Sequence, residues 1–410
     1  MVFSSGHYRN GQLYEGLPWG SFHNKATDDL AGVSNLNEVP SGEGNTLGGK
    51  TMKVSAFLLA SVCTAPLLCA QQAASPTVEL KATSQKVTAA VALGSPYILS
   101  AVCDGAGNIY VRLNDDPRDD EPMERVTALP IREISAATGL VKTFRTLDAF
   151  PGEAPGREVV AKSLFATSDG RVFEVANLRG DFFVVEFGQD GSVKEKTKLI
   201  ASDLRGSDFR FAVFTSGEYL LTAMTGKDQL TPFTGVFAPD GRLLKKIYEP
   251  EDEEARQRSR PYEHRSVVTG ARGVDFIYSG SVAAGSDGNM YLLHGTSSPA
   301  LIYVISPKGD VVRKLRVDAG DPDLVATSIR SHGSRLAIQF VSQRQRPDMT
   351  TLIRVTDLQG KPMADYRVDM AGAKEPSGAP LNLAGYDSDG FTFAPDLRDG
   401  KVYFVRAKLP

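Results

Sequence analysis

The chain has 410 residues, of which 41% are hydrophobic, 23% charged and 8% aromatic, a composition that excludes a disordered or collagen-like main state. Forty-six basic against 49 acidic residues leave a formal net charge of -3, so a general electrostatic grip on nucleic acid or on an anionic membrane is not expected. Glycine at 39 positions and proline at 23 point to frequent turns.

Residues 1–51 show little hydrophobic patterning and hold the only tryptophan, Trp19, with two of the five histidines, His7 and His23. Gly48-Gly49-Lys50-Thr51 could be encoded by a purine-rich ribosome-binding site placed just before Met52. Translation is therefore expected to start at Met52, with 1–51 a mis-assigned leader; a disordered extension is the alternative. From Met52, one positive charge, Lys53, precedes an uncharged apolar run to Ala70. This is the layout of a secretory signal peptide, with residues 52–70 removed after Ala70. Polar Gln71-Gln72 follows without a basic stop-transfer cluster. Bacterial export to the periplasm or medium is expected, with no stable membrane insertion after cleavage. The rival readings are a membrane anchor and a lipoprotein, but Pro66-Leu67-Leu68-Cys69 lacks the small residues that precede a lipidated cysteine.

Cys63 and Cys69 fall in the signal, which leaves Cys103 alone in the mature chain. No internal disulfide is available, so the fold must stand on its core. Cys103 follows Ala101-Val102 in a strand-like run and reads as a buried, inert thiol. No conventional metal spacing of Cys and His occurs, and neither a metal nor a cofactor is expected.

The mature chain repeats a turn followed by an apolar strand. The turns centre on Gly107, Gly170, Gly217, Gly288, Gly333 and Gly390. Glycine supplies positive φ and Asp or Ser caps the turn. A second series, at Gly139, Gly191, Gly241, Gly309 and Gly360, joins an apolar strand to a more polar one. Inner strands apolar on both faces need cover on both sides, and outer strands alternating charge with Val and Leu protect an edge. Packing such units around a ring satisfies both demands. The expectation is all-β: a six-bladed β-propeller over 77–410, with four-stranded antiparallel blades. The last unit has room for only three strands, around 381–386, 391–394 and 402–408. The lone N-terminal strand candidate at 78–91 is expected to complete it, because an unclosed ring leaves a sheet edge exposed.

The Asp-Gly-Asn-apolar-Tyr turn at 287–291, and the Pro-Asp-Gly and Pro-Lys-Gly turns at 239–241 and 307–309, resemble those of six-bladed propellers of the NHL-repeat and gluconolactonase-like superfamily. The resemblance covers about residues 95–408 and is one of turns and strands. It implies binding on the ring face around a central channel. Lactonases of that superfamily hold a divalent metal with carboxylates and an Asn. Here Asn108 and Asn289 read as hairpin-turn residues, and no matching carboxylates stand out.

The segment Glu249 to Arg265 places acidic residues before basic ones between two blades, an order that suits a short helix. It is expected either to present Tyr262, His264 and Arg265 as a binding arm or to be a solvated excursion with internal ion pairs. The carboxylate-rich loop Asn114 to Glu121 lacks the alternating ligands of a calcium loop, and Arg118 lies within it. His294 follows an apolar strand, and His332 reads as a turn residue. No nucleophile elbow or phosphate-binding loop is present. The functional expectation is a monomer that binds a protein, peptide or glycan through loops on one ring face, with binding favoured over catalysis and the enzyme question left open. A metal-dependent hydrolase or lactonase at the channel mouth is the alternative, and a purely structural envelope protein a third reading.

Overall fold

The computed structural model describes residues 7–9, 12–14, 77–86, 98–113, 130–135, 139–152, 159–201, 204–225, 231–247, 279–294, 299–342, 351–370, 382–398 and 401–410. The chain divides into Met1–Ala74 and Ser75–Pro410. In the first unit, β1 (His7–Arg9) and β2 (Gln12–Tyr14) form an antiparallel hairpin. The expected signal segment at 52–70 lies outside the described residues.

The second unit begins with β3 (Thr77–Lys86) and continues as successive four-stranded antiparallel sheets. The first holds β4 (Ile98–Cys103), β5 (Ile109–Leu113), β6 (Ile131–Ser135) and β7 (Gly139–Phe144). A short 3-10 helix at Thr146–Ala149 leads to β8 (Val159–Ala166), β9 (Val172–Leu178), β10 (Asp181–Phe187) and β11 (Val193–Lys198). The third contains β12 (Leu204–Val213), β13 (Tyr219–Thr225), β14 (Thr231–Phe237) and β15 (Leu243–Lys246). The fourth contains β16 (Ser279–Ala284), β17 (Met290–His294), β18 (Ala300–Ile305) and β19 (Val311–Val317).

The remaining strands depart from the expectation of six separate blades. β20 (Leu324–His332), β21 (Arg335–Ser342), β22 (Thr351–Asp357) and β23 (Pro362–Asp369) share one eight-stranded sheet with β24 (Leu383–Asp387), β25 (Gly390–Arg398) and β26 (Lys401–Lys408). Four separate four-stranded sheets therefore stand beside one of eight. The cause is β3. Its first half, Thr77 to Lys81, runs parallel to β23, and its second half, Ala82 to Lys86, pairs antiparallel with β26. The N-terminal strand thus supplies the missing neighbour of β26 and also fuses two groups of strands.

Packing places the cores between consecutive sheets. Phe144, Phe150 and Val185 lie in one cluster, Phe182, Phe211 and Phe237 in the next, and Phe214, Leu292 and Tyr303 in a third. Tyr291, Ile302 and Phe340 continue the series. Leu80 and Ala82 of β3 join Ile353, Phe391 and Phe393 in the last cluster. Central strands such as β18 are buried along their whole length, whereas β11 is mostly exposed and β19 alternates toward solvent. That difference matches the apolar and charged runs in the sequence.

The first strands touch in a closed cycle: β4 with β8, β8 with β12, β12 with β16, β16 with β20, β20 with β24, and β24 with β4. Each also has a shift of register against its second strand, for example between Ser279 and Ser281 and between Ala326 and Ser328. An extra residue of this kind increases local twist. The arrangement is propeller-like. Its turns also lock neighbours together. At Gly241 (φ 82°) an added Cβ would run into the carbonyl of Lys198 on the preceding sheet, so that position needs glycine for space as well as for conformation.

Candidate functional site at the meeting of the first strands

Antiparallel pairing puts the turns between first and second strands on one edge of the cycle. Several are built around an aspartate. Asp104 Oδ1 accepts from the backbone N–H of Ala106 and Asn108, and its Oδ2 accepts from Asn108 Nδ2 and the Tyr110 hydroxyl. Asp287 repeats the pattern with Asn289 and Tyr291. Both asparagines are therefore committed to hairpins, as the sequence implies. Burial acts to raise the Asp287 pKa, but its hydrogen bonds from Asn289, Tyr291 and the backbone together outweigh it, and the pKa is lowered.

Just inside this edge, Arg330 of β20 reaches across two neighbours. Its Nε donates to the Ala384 carbonyl of β24 at 2.8 Å, and Nη1 donates to Ser281 Oγ of β16 at 2.8 Å and to the Ile329 carbonyl at 2.7 Å. Ser331 Oγ donates to the Ala284 carbonyl at 2.5 Å. Behind them, buried Gln339 accepts from Ser328 Oγ at 2.8 Å and from the Leu383 N–H at 2.7 Å. Three first strands are thus cross-linked by neutral acceptors. Arg330 makes no ion pair with a described residue, and burial lowers its pKa.

Cys103, at the end of β4, lies beside this group. Burial pushes its thiol up to about 12; Arg330 opposes this weakly and Asp104 adds to it. It is partly exposed and free, and its environment makes a poor nucleophile. Gly385 packs on it: an added Cβ there would lie 2.6 Å from the cysteine Cβ. Asp387 accepts from Arg406 Nη2 at 2.7 Å and from the backbone of Asp389 and Gly390, so its charge is already matched.

The residues singled out from sequence fare differently. Tyr262, His264 and Arg265 lie outside the described residues, as does the loop at 114–121. His332 ends β20 instead of sitting within the turn, and its ring meets Tyr386 edge-on at 5.7 Å. His294 ends β17, its ring 5.6 Å from that of Tyr303. Among the described residues, no three His, Cys, Asp or Glu side chains converge closely enough to hold a metal ion. None of their helices is long and apolar enough to cross a membrane. Arg330 was detectable in principle: it is the one Asp, Glu, Lys or Arg in the run Leu324 to His332.

No protein-family model matches the chain, and no curated protein matches it. Among solved structures, it is similar to a catalytically inactive virginiamycin B lyase from Staphylococcus aureus with quinupristin (12% identity, 81% of this chain and 100% of that one, TM-score 0.42). It is also similar to an exported protein from Bacteroides fragilis (9%, 82% and 100%, 0.44) and to a gluconolactonase-like protein (10%, 80% and 92%, 0.40). At these values the propeller-like description rests on the strand pairing and contacts above, and an NHL repeat as such is not shown.

Proposed function

We propose that this chain is an exported, six-bladed β-propeller that binds a protein, peptide or glycan on a ring face. The observation that carries the reading is the closed cycle of first strands, with a cationic side chain held at its inner rim. In this reading the eight-stranded sheet serves as two blades sharing β3, which brings the count to six. Residues 52–70 direct export and are removed. The loops, together with Tyr262, His264 and Arg265 on the segment between β15 and β16, form the recognition surface. The mechanism is rigid presentation: sheets fix the loops, so little conformational freedom is lost on binding.

The test immobilises the chain beginning at Gln71 and challenges it with envelope extract and with a glycan array. Specific retention that falls at least tenfold in a Tyr262→Ala/Arg265→Ala variant is expected. Absence of retention by the wild-type chain would count against the reading. The hydrolase alternative predicts turnover of lactones that depends on an added divalent cation, and the same preparation answers that question.

A further inference from the structure

We propose that Arg330 is the anchor for a carboxylate on the ligand, at the inner rim of the first-strand cycle. This names the ligand chemistry of the binding reading above and rests on it. A guanidinium has five N–H donors. Nε and both hydrogens of Nη1 are committed to Ala384, Ser281 and Ile329, so the two donors left are both on Nη2. Three bonds to backbone and hydroxyl oxygens hold the group in place, while its positive charge has no carboxylate partner among the described residues. A structural strap between strands needs the three bonds but not the residual charge.

The surroundings narrow the class. Asp387 is matched by Arg406, and Asp104 is saturated by its own turn, so neither competes for the guanidinium. Ser281 and the protonated Cys103 are neutral. One cation with one free amino group matches a singly charged group held through one of its oxygens, since a two-oxygen grip needs N–H groups on two different nitrogens. A dianionic phosphate would need further donors or a second cation. The ligand carboxylate could come from a peptide C-terminus or from a sugar acid; both present the same chemistry to Nη2.

The experiment uses calorimetry at constant ionic strength on the chain beginning at Gln71. The probes are N-acetyl-Ala-Ala and its C-terminal amide, and galacturonate and galactose. At least one acid should bind, with its neutral counterpart tenfold or more weaker; which acid binds identifies the source. Arg330→Gln should abolish the acid preference, and Arg330→Lys should keep part of it. Equal binding of acid and neutral forms, or binding of neither acid at millimolar concentration, overturns the proposal. The acid–neutral contrast needs only the wild-type chain, so a variant that fails to fold does not blunt it. If folded Arg330→Gln still retains an envelope ligand, the carboxylate anchor fails while the broader binding reading survives. If the wild-type chain retains nothing, the broader reading fails.

Discussion

Removing the carboxylate of Glu174 should destabilise the second unit by several kilocalories. Glu174 on β9 is fully buried and accepts from Arg112 Nη2 of β5 through Oε1 and from Thr146 Oγ1 through Oε2. Thr146 is also fully buried, and Arg112 is 3% exposed. One side chain therefore ties two sheets and the 3-10 helix. Burial brings Arg112 down to about 9, which reflects how little water reaches it. Glu174→Leu leaves that cation without a partner and orphans a hydroxyl, a change that costs about 3–5 kcal/mol. For a unit of roughly 340 residues the unfolding entropy is about 0.7 kcal/mol per degree, so the melting temperature should fall by about 4–7 °C. Arg112→Met/Glu174→Leu removes both charges and should recover most of that loss, because a paired buried charge is often no better than an apolar replacement. Thermal melts followed by circular dichroism and calorimetry read both effects. A fall of under about 1 °C for Glu174→Leu, or a double variant as damaged as the single one, would refute the reasoning.

Three further outcomes follow from particular contacts. Leu80→Ala in β3, at a side chain only 5% exposed, should cost about 2–5 kcal/mol and raise amide exchange in β23 and β26 before β9; exchange rising equally in β9 would argue against a local role. Gly288→Ala and Gly241→Ala share a φ near +80°, but only Gly241 has a neighbour in the way. The first should cost about 1–2 kcal/mol and the second at least twice that in chemical denaturation; equal costs would remove the packing argument. Cys103, with its thiol raised from 9.0 to about 12, should resist iodoacetamide at pH 8 until the protein is unfolded. A raised acid pKa means that the folded state holds its proton longer. This contribution is complete below pH 9 and is lost as pH climbs from 9 to 12. Cys103→Ala should flatten that part of the stability curve, and an unchanged slope would contradict the assignment.

The turns were legible because glycine is the residue that takes positive φ without strain; Gly170, Gly288, Gly309 and Gly360 all do so. The pairing of β3 with β26 was legible by counting three strands where four were needed. Its pairing with β23 was not. Val78, Leu80 and Ala82 alternate without a break, and nothing in that pattern marks where one partner ends and the next begins. The group around Arg330 was hidden for another reason. Its partners Ser281 and Ala384 lie 49 and 54 positions away in the chain, joined only through the cycle of first strands. A lone arginine in an otherwise uncharged strand is the mark this group leaves in the sequence.

The double engagement of β3 has a consequence for the timing of assembly. Thr77 to Lys86 is synthesised early, yet both of its partners lie between Pro362 and Lys408. The clasp stays open until nearly the whole polypeptide has emerged. Four sheets pair within themselves and need not wait for it, so the last step left is a latch closed by a long-range pairing, which ranks among the slow events of folding.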